Sequence, residues 1–271
     1  MTCERLLENL RSCDFLIFGT GFVAEMFWFA LERHGLTDHV RGFLVSGGEK
    51  TATFHGLPVR TVSGKEPALC RTVCLAVHEA LVEEIRPLLI ARTERVFPVY
   101  PYLTELCYGT PLASEEWPLR KLLERQDPSY YWLSVRYAAA RSRSFRLDTQ
   151  ALSEELYIRA MAIHSSVPTA KKRLASLKLL INDMAAYGWR KDLPIFALDD
   201  GRIIDGLHRT ACAACLGIKQ VTVTTYSDPS VYDRLLGLQN RLPESVLREN
   251  GFSSCEIEFL NQAKNELCRS E

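Results

Sequence analysis

The stretch Leu193–Tyr226, LPIFALDDGRIIDGLHRTACAACLGIKQVTVTTY, decides how the rest of the chain is read. An apolar run from Pro194 to Leu198 meets a tight Asp199-Asp200-Gly201 turn, and a second run, Arg202 to Asp205, follows it. Two such runs across a short Gly-containing turn predict a β-hairpin. A polar knot comes next, Asp205-Gly206-Leu207-His208-Arg209. Thr210 to Leu216 has a helical pattern, Gly217 supplies the stop, and Gln220 to Tyr226 is a strand rich in Val and Thr. The order is hairpin, knot, helix and return strand, with charge gathered where the helix starts.

That placement suits an anion. A helix N-terminus offers unpaired backbone N–H groups and the positive end of the helix dipole. Gly206 allows a close backbone approach, Arg209 offers a planar fork for phosphate, and His208 a donor or proton carrier. Thr210 follows as a further hydroxyl donor to phosphate. Asp205 could coordinate Mg²⁺ or accept a hydroxyl proton. The bland alternative is a capping aspartate beside a surface histidine and arginine.

Upstream, Leu152 to Ile163 has a helical pattern, and a second helix is expected from Lys171 to Tyr187. On the latter, Leu174, Leu177, Leu180, Ile181 and Met184 share one face, and Gly188 ends it. Lys171, Lys172 and Arg173 crowd its first turn, against the dipole, so a nearby anion or plain solvent exposure would account for them. Arg136, Arg141, Arg143 and Arg146 follow the aromatic cluster Tyr130-Tyr131-Trp132. Basic residues among aromatics could grip phosphates or stack bases, but the simpler reading is a solvated helix face. Downstream, helices are expected at Tyr232 to Leu247 and Glu256 to Leu267.

The N-terminal part alternates strand and helix. Cys13 to Phe18, Val40 to Val45, Thr72 to Val77 and Arg95 to Val99 read as strands, with helices from the glycine turn to about His34 and from Glu79 to Ala91. This argues for a parallel sheet with helices on its faces. The turn Gly19-Thr20-Gly21-Phe22 opens the first helix and makes a second candidate nucleotide site, or merely a tight strand-to-helix turn. No acidic residue ends the second strand; Val45-Ser46-Gly47-Gly48 stands where a nicotinamide ribose would want one. Tyr100 to Pro118 carries three prolines and reads as the linker, giving domains at 1–112 and 113–271.

The totals exclude some classes. Lys plus Arg and Asp plus Glu both count 33, so the formal charge is zero. Before residue 114 there are 11 basic and 13 acidic residues, and after it 22 and 20, so neither half is a basic nucleic-acid binder by its field. Phe15 to Leu31 is apolar but interrupted by Gly19, Gly21 and Glu25, which argues against a membrane span. No signal peptide pattern opens the chain, and nine scattered cysteines are simplest as reduced thiols, so a cytoplasmic location is expected. Cys212 and Cys215 read as small packing residues inside a helix rather than a redox pair.

Two resemblances sharpen this. LIFGTGFVAE, RGFLVS and HGLPV, across about Asp14 to Gly109, resemble the small Rossmann-like module that precedes sugar acyltransferase and other carbohydrate-pathway domains, some of which hold nucleotide-sugars. PIFALDDGRIIDGLHRTACAACLGIKQVTV resembles the ParB/sulfiredoxin superfamily over about Ser165 to Tyr226. That resemblance implies phosphates of ATP, ADP or CTP held at the knot. Sulfiredoxin places its catalytic cysteine where Leu207 stands, which argues against that chemistry. The free-serine kinase branch is closer, although its acidic residue ahead of the helix is replaced by His164-Ser165-Ser166, and Glu154 and Glu155 lie earlier.

The expectation is therefore an α/β protein, a Rossmann-like parallel sheet followed by an α+β ParB/sulfiredoxin-like domain with added helices. Its expected activity is Mg²⁺-dependent phosphoryl transfer from ATP or another nucleoside phosphate to a small hydroxyl-bearing metabolite, with Asp205 and His208 catalytic. The alternative is a non-catalytic nucleotide-responsive regulator or DNA-associated ParB-like protein.

Overall fold

The computed structural model describes residues 1–47, 52–62, 70–145, 148–236 and 242–269. Gly48 and Arg146, singled out above, lie outside these residues. The chain is mixed α/β and divides into two compact units, Met1–Thr110 and Pro111–Glu271.

Unit 1 runs α1 (Cys3–Arg11), β1 (Phe15–Phe18), α2 (Phe22–His34), β2 (Val40–Val45), β3 (Thr53–Phe54), β4 (Leu57–Thr61), β5 (Thr72–Leu75), α3 (Val82–Ile90), β6 (Arg95–Pro98) and α4 (Leu103–Tyr108). The sheet order is β3-β4-β2-β1-β5-β6. Every neighbouring pair is parallel except β3 with β4. Phe15, Leu16, Ile17 and Phe18 are all buried, as a central strand covered on both faces requires. Gly35 ends α2 at φ +65°, a left-handed cap.

Unit 2 runs β7 (Ala113–Pro118), α5 (Leu119–Leu123), α6 (Trp132–Ser144), α7 (Gln150–Ala162), α8 (Val167–Tyr187), β8 (Ile195–Leu198), β9 (Ile203–Asp205), α9 (Leu207–Cys215), β10 (Gln220–Tyr226), α10 (Glu244–Glu249) and α11 (Ser254–Arg269). A short π-helical segment, Tyr232–Leu236, stands where a helix was expected to begin. Of the rest of that expectation, 237–241 lie outside the described residues, and Glu244–Leu247 fall in α10. The sheet order is β7-β10-β8-β9, with β10 parallel to β8 and the other pairs antiparallel. The hairpin closes at its turn through Leu198 N–H to the Arg202 carbonyl and Gly201 N–H to the Leu198 carbonyl, both 2.9 Å.

The stretch read as a linker is partly regular structure. Within it α4 forms, and β7 zips onto β10 from Ala113↔Thr225 to Pro118↔Gln220. Its consecutive polar residues Ser114, Glu115 and Glu116 concealed it, since β7 exposes most of its side chains and buries only Trp117.

Helix α6 is the hub of unit 2 and packs against α7, α8, α9 and α11. The contact with α9 is close because the facing residues are small: Ala138, Ala139 and Ala140 on α6, and Ala211, Cys212, Ala213, Ala214 and Cys215 on α9, are all buried. On α8 the buried stripe is Leu174, Leu177, Ile181 and Met184, and each such side chain taken from water contributes about 1.5–3 kcal/mol. Leu180 packs beside it, partly buried. No helix among the described residues is long and apolar enough to cross a membrane.

Candidate functional site

The knot is built from the hairpin upward. β9 ends at Asp205, Gly206 turns the chain at φ +109°, and α9 starts at Leu207, earlier than its sequence pattern suggests. Gly206 is required twice over. Its dihedral is left-handed, and a Cβ there would stand 3.2 Å from Ile195 Cγ1 and 3.3 Å from Ile195 Cα. Both His208 and Arg209 thereby fall in the first turn of a nine-residue helix with no capping side chain.

The two side chains go to different partners. Arg209 folds back: one guanidinium nitrogen donates to the Pro194 carbonyl and the other to Asp205 Oδ2 at 3.1 Å. It is 18% exposed, against 53% for Asp205. The fork expected to hold phosphate is thus engaged in fixing the hairpin end and neutralising Asp205. His208 instead meets α7, its Nε2 lying 2.6 Å from the Tyr157 hydroxyl. Tyr157 is fully buried, and desolvation raises its phenol pKa although Arg136 and Arg173 pull the other way.

Thr210 does not belong to the binding surface. It is fully buried, and its hydroxyl donates to the Gly206 carbonyl at 3.0 Å. This back-bonding fixes the first turn of α9 rather than offering a donor outward.

Besides Tyr157, Arg136 and Arg173 complete the site, and none of the three was assigned to it from sequence. Arg136, read as part of a solvated face, is only 8% exposed. It donates to the Trp132 carbonyl at 2.9 Å and lies 5.1 Å from the Trp132 ring centroid. Its Nε is buried with no hydrogen-bond partner, and the same is true of Arg173 Nε on α8. Burial pushes the Arg136 guanidinium down to about 10, the positive charge of Arg173 acts in the same direction, and Tyr157 and Asp205 oppose it. Arg141, by contrast, pairs with Glu266 at 3.1 Å and Arg143 is exposed, so the arginine run is not one face.

The electrostatic sum is unusual. Among the described residues neither Arg136 nor Arg173 is ion-paired, and Asp205, the carboxylate acting on Arg136, is already held by Arg209. A buried unpaired charge costs several kcal/mol, and Arg136 is the buried member of the pair, whereas Arg173 is half-buried with only its Nε enclosed. The signal for Arg136 was present in the sequence: Val135 and Tyr137 to Ala140 surround it with apolar residues on every side of a helix. Tyr157 gave no such signal.

The acidic candidates fare differently. Glu154 pairs with Lys178 at 2.7 Å and accepts from Gln150 at 2.9 Å, and Glu155 is an exposed neighbour of Arg159. His164 lies 5.8 Å from the Trp132 ring, with its pKa lowered by burial. No group of three His, Cys, Asp or Glu side chains that could hold a metal ion occurs among the described residues. Asp205 alone could offer magnesium an oxygen, in exchange with Arg209, and so does not preform a magnesium site.

The glycine turn of unit 1 has a structural cause. Gly19 adopts φ +118°, and a Cβ there would lie 2.5 Å from the Ala76 carbonyl oxygen. Gly21 caps α2, with open space around it. In the first turn of α2 stands Glu25, 2.9 Å from His55 Nε2, and a carboxylate there competes with any bound phosphate. Thr20 and Phe22 flank this turn half-buried. Cys212 and Cys215 are free buried thiols, with burial raising both pKa values, Cys215 to about 11. They pack; they do not react.

No protein-family model, curated protein or solved structure matches the chain.

Proposed function

We propose that unit 2 binds a nucleoside phosphate at the start of α9, with Arg136, Arg173 and the α9 N-terminus receiving the phosphates. The observation that carries this reading is the pair of arginines with buried, unpartnered Nε atoms beside the helix start. Guanidinium forks match phosphate oxygens, and the helix N-terminus adds backbone donors. The knot's resemblance to ParB/sulfiredoxin domains supports the same ligand class. Unit 1 we read as a Rossmann-like module on its sheet order, with its glycine turn serving the fold.

Phosphoryl transfer to a small hydroxyl-bearing metabolite follows as the enzymatic form of this proposal. Positioning and charge stabilisation dominate such reactions. His208, held by Tyr157, would orient the phosphate, and Asp205, released from Arg209, would accept the hydroxyl proton. A non-catalytic nucleotide-binding regulator is the second reading, favoured by the Asp205–Arg209 pair, which occupies the carboxylate of the knot.

Titration calorimetry with ATP, ADP, CTP and pyrophosphate tests the binding. Native protein should take up at least one of them, and Arg136→Met and Arg173→Met should each weaken it by about tenfold or more, roughly 1.4 kcal/mol. Native protein that binds none, or an Arg136→Met variant that binds equally well, would sink the proposal. Release of nucleoside diphosphate in the presence of serine, related amino alcohols or sugars separates the enzyme from the regulator.

A further inference from the structure

We propose that unit 2 carries a second small-molecule pocket, for a compact aromatic or apolar molecule bearing a carboxylate, with Lys264 of α11 as the residue that selects the charge. The cavity has a volume of about 310 Å³, at the small end of the range for ligand pockets. Its walls are Leu123, Tyr130, Trp132, Leu133, Leu207 and Tyr232. They are apolar and aromatic, which suits a ring or branched aliphatic body.

The polar groups around it are nearly all committed within the protein. Arg202 donates to Asp200 and Asp233, each at 2.8 Å. Gln126 donates to the Leu122 and Gly201 carbonyls at 2.7 and 2.8 Å, and its oxygen accepts from Ile203 N–H. Asp127 accepts from the Ser129 N–H and hydroxyl, and Ser134 donates to the Tyr131 carbonyl. Lys264 differs. Its ammonium sits 4.1 Å from the Tyr131 ring centroid, and no ion pair holds it among the described residues, although the Asp127 and Glu244 carboxylates act on it beyond ion-pair distance. Arg125, whose stem lies under Gly201, adds a third cation to the lining, beside Arg202 and Lys264.

A carboxylate in this cavity gains a charge-assisted hydrogen bond from a partly desolvated ammonium. A neutral isostere leaves that ammonium unpaired, and an amine meets a like charge. The pocket shares Trp132 with the arginine cluster but reads charge from a different helix, so the two sites are separable by mutation. It does not rest on the nucleotide proposal.

Binding of phenylacetate, phenylacetamide and phenethylamine to the full chain, followed by tryptophan fluorescence and calorimetry, tests this. Phenylacetate should bind, the amide about tenfold more weakly or worse, and the amine not measurably. Lys264→Gln should remove the acid's advantage, and Lys264→Glu should reverse the preference toward the amine, with thermal unfolding confirming that both variants fold. Leu207→Phe, which narrows the cavity, should weaken acid and amide alike. The proposal is overturned if phenylacetate does not bind at millimolar concentration, if acid and amide bind equally, or if Lys264→Glu leaves the preference intact. It is also overturned if Arg136→Met abolishes phenylacetate binding as Lys264→Gln does, since the arginine cluster would then be the site.

Discussion

The chain passes from strand to helix through a left-handed glycine twice. Gly19 follows β1 in unit 1, two residues before the Gly21 cap of α2, and Gly206 follows β9 in unit 2 as the cap of α9 itself; their φ values are +118° and +109°, and neither helix has a side-chain cap at its start. Each is hemmed in by a neighbouring segment, Gly19 by Ala76 just past β5 and Gly206 by Ile195 of β8. The surroundings differ in charge. At α2 the first turn holds Glu25 with His55, whereas at α9 it holds His208 and Arg209, with Arg136 and Arg173 nearby. A glycine turn at a helix start is therefore a device of the fold. Side chains delivered by other helices decide whether it can serve as an anion site.

The largest expected effect lies at the turn with less apparent function. Gly19→Ala forces a left-handed alanine against a carbonyl 2.5 Å away, and should destabilise unit 1 by roughly 3 kcal/mol or more. Gly206→Ala, with contacts of 3.2–3.3 Å, should cost less, about 1–3 kcal/mol. Denaturant unfolding of both variants in parallel checks the ranking; equal losses would mean that the two turns are not constrained as described.

Arg136→Met should act in the opposite direction on stability. Replacing a buried unpaired cation by an apolar side chain of similar length should raise the unfolding free energy of the unliganded protein by about 1–2 kcal/mol. Stability gained together with nucleotide binding lost would mark a residue kept for its ligand. A stability loss instead would show that Arg136 is already satisfied within the fold.

Tyr157→Phe removes the hydroxyl that meets His208 and should cost about 1 kcal/mol. If His208 only packs, nucleotide affinity will not change in this variant. If His208 is held for a phosphate, affinity falls while that of Tyr157→Phe for phenylacetate stays native.

The smallest effect is with pH. Burial works to raise the Glu154 carboxyl, yet hydrogen bonds from Lys178 and Gln150 hold it below the ordinary 4.5, and Glu256 is lowered likewise by Ser253 and Arg159. For a depressed carboxyl the stabilisation is complete above its unfolded value and is lost as pH falls through the folded one. Thermal unfolding of unit 2 should thus fall progressively below about pH 4.5, by less than about 1 kcal/mol per pair. Lys178→Met should flatten part of that slope.

Several elements were legible because their signals are local. The hairpin at 195–205, the strand Gln220–Tyr226, the α8 stripe and strands β1, β2, β5 and β6 of unit 1 follow from period, turn residues and stops, which depend only on near neighbours in sequence. β7 was not legible, because an edge strand with one buried side chain carries almost no hydrophobic pattern. The knot was legible as a cluster, but the allocation of its side chains was not. Arg209 and Thr210 look like ligand groups in the string DGLHRT, and in the fold they bind the protein itself.

What the sequence determined alone is the presence of two strand–glycine–helix turns and the polar residues written beside the second. The tertiary structure decided which cations stay unpaired. Arg136, Tyr157 and Arg173 come from three separate helices, and only the close packing of α6 on α9, permitted by alanines and cysteines, brings them to one place. Coulombic and hydrogen-bonding partners act over a few ångströms of space whatever their separation in sequence, so no local pattern could have assembled that site.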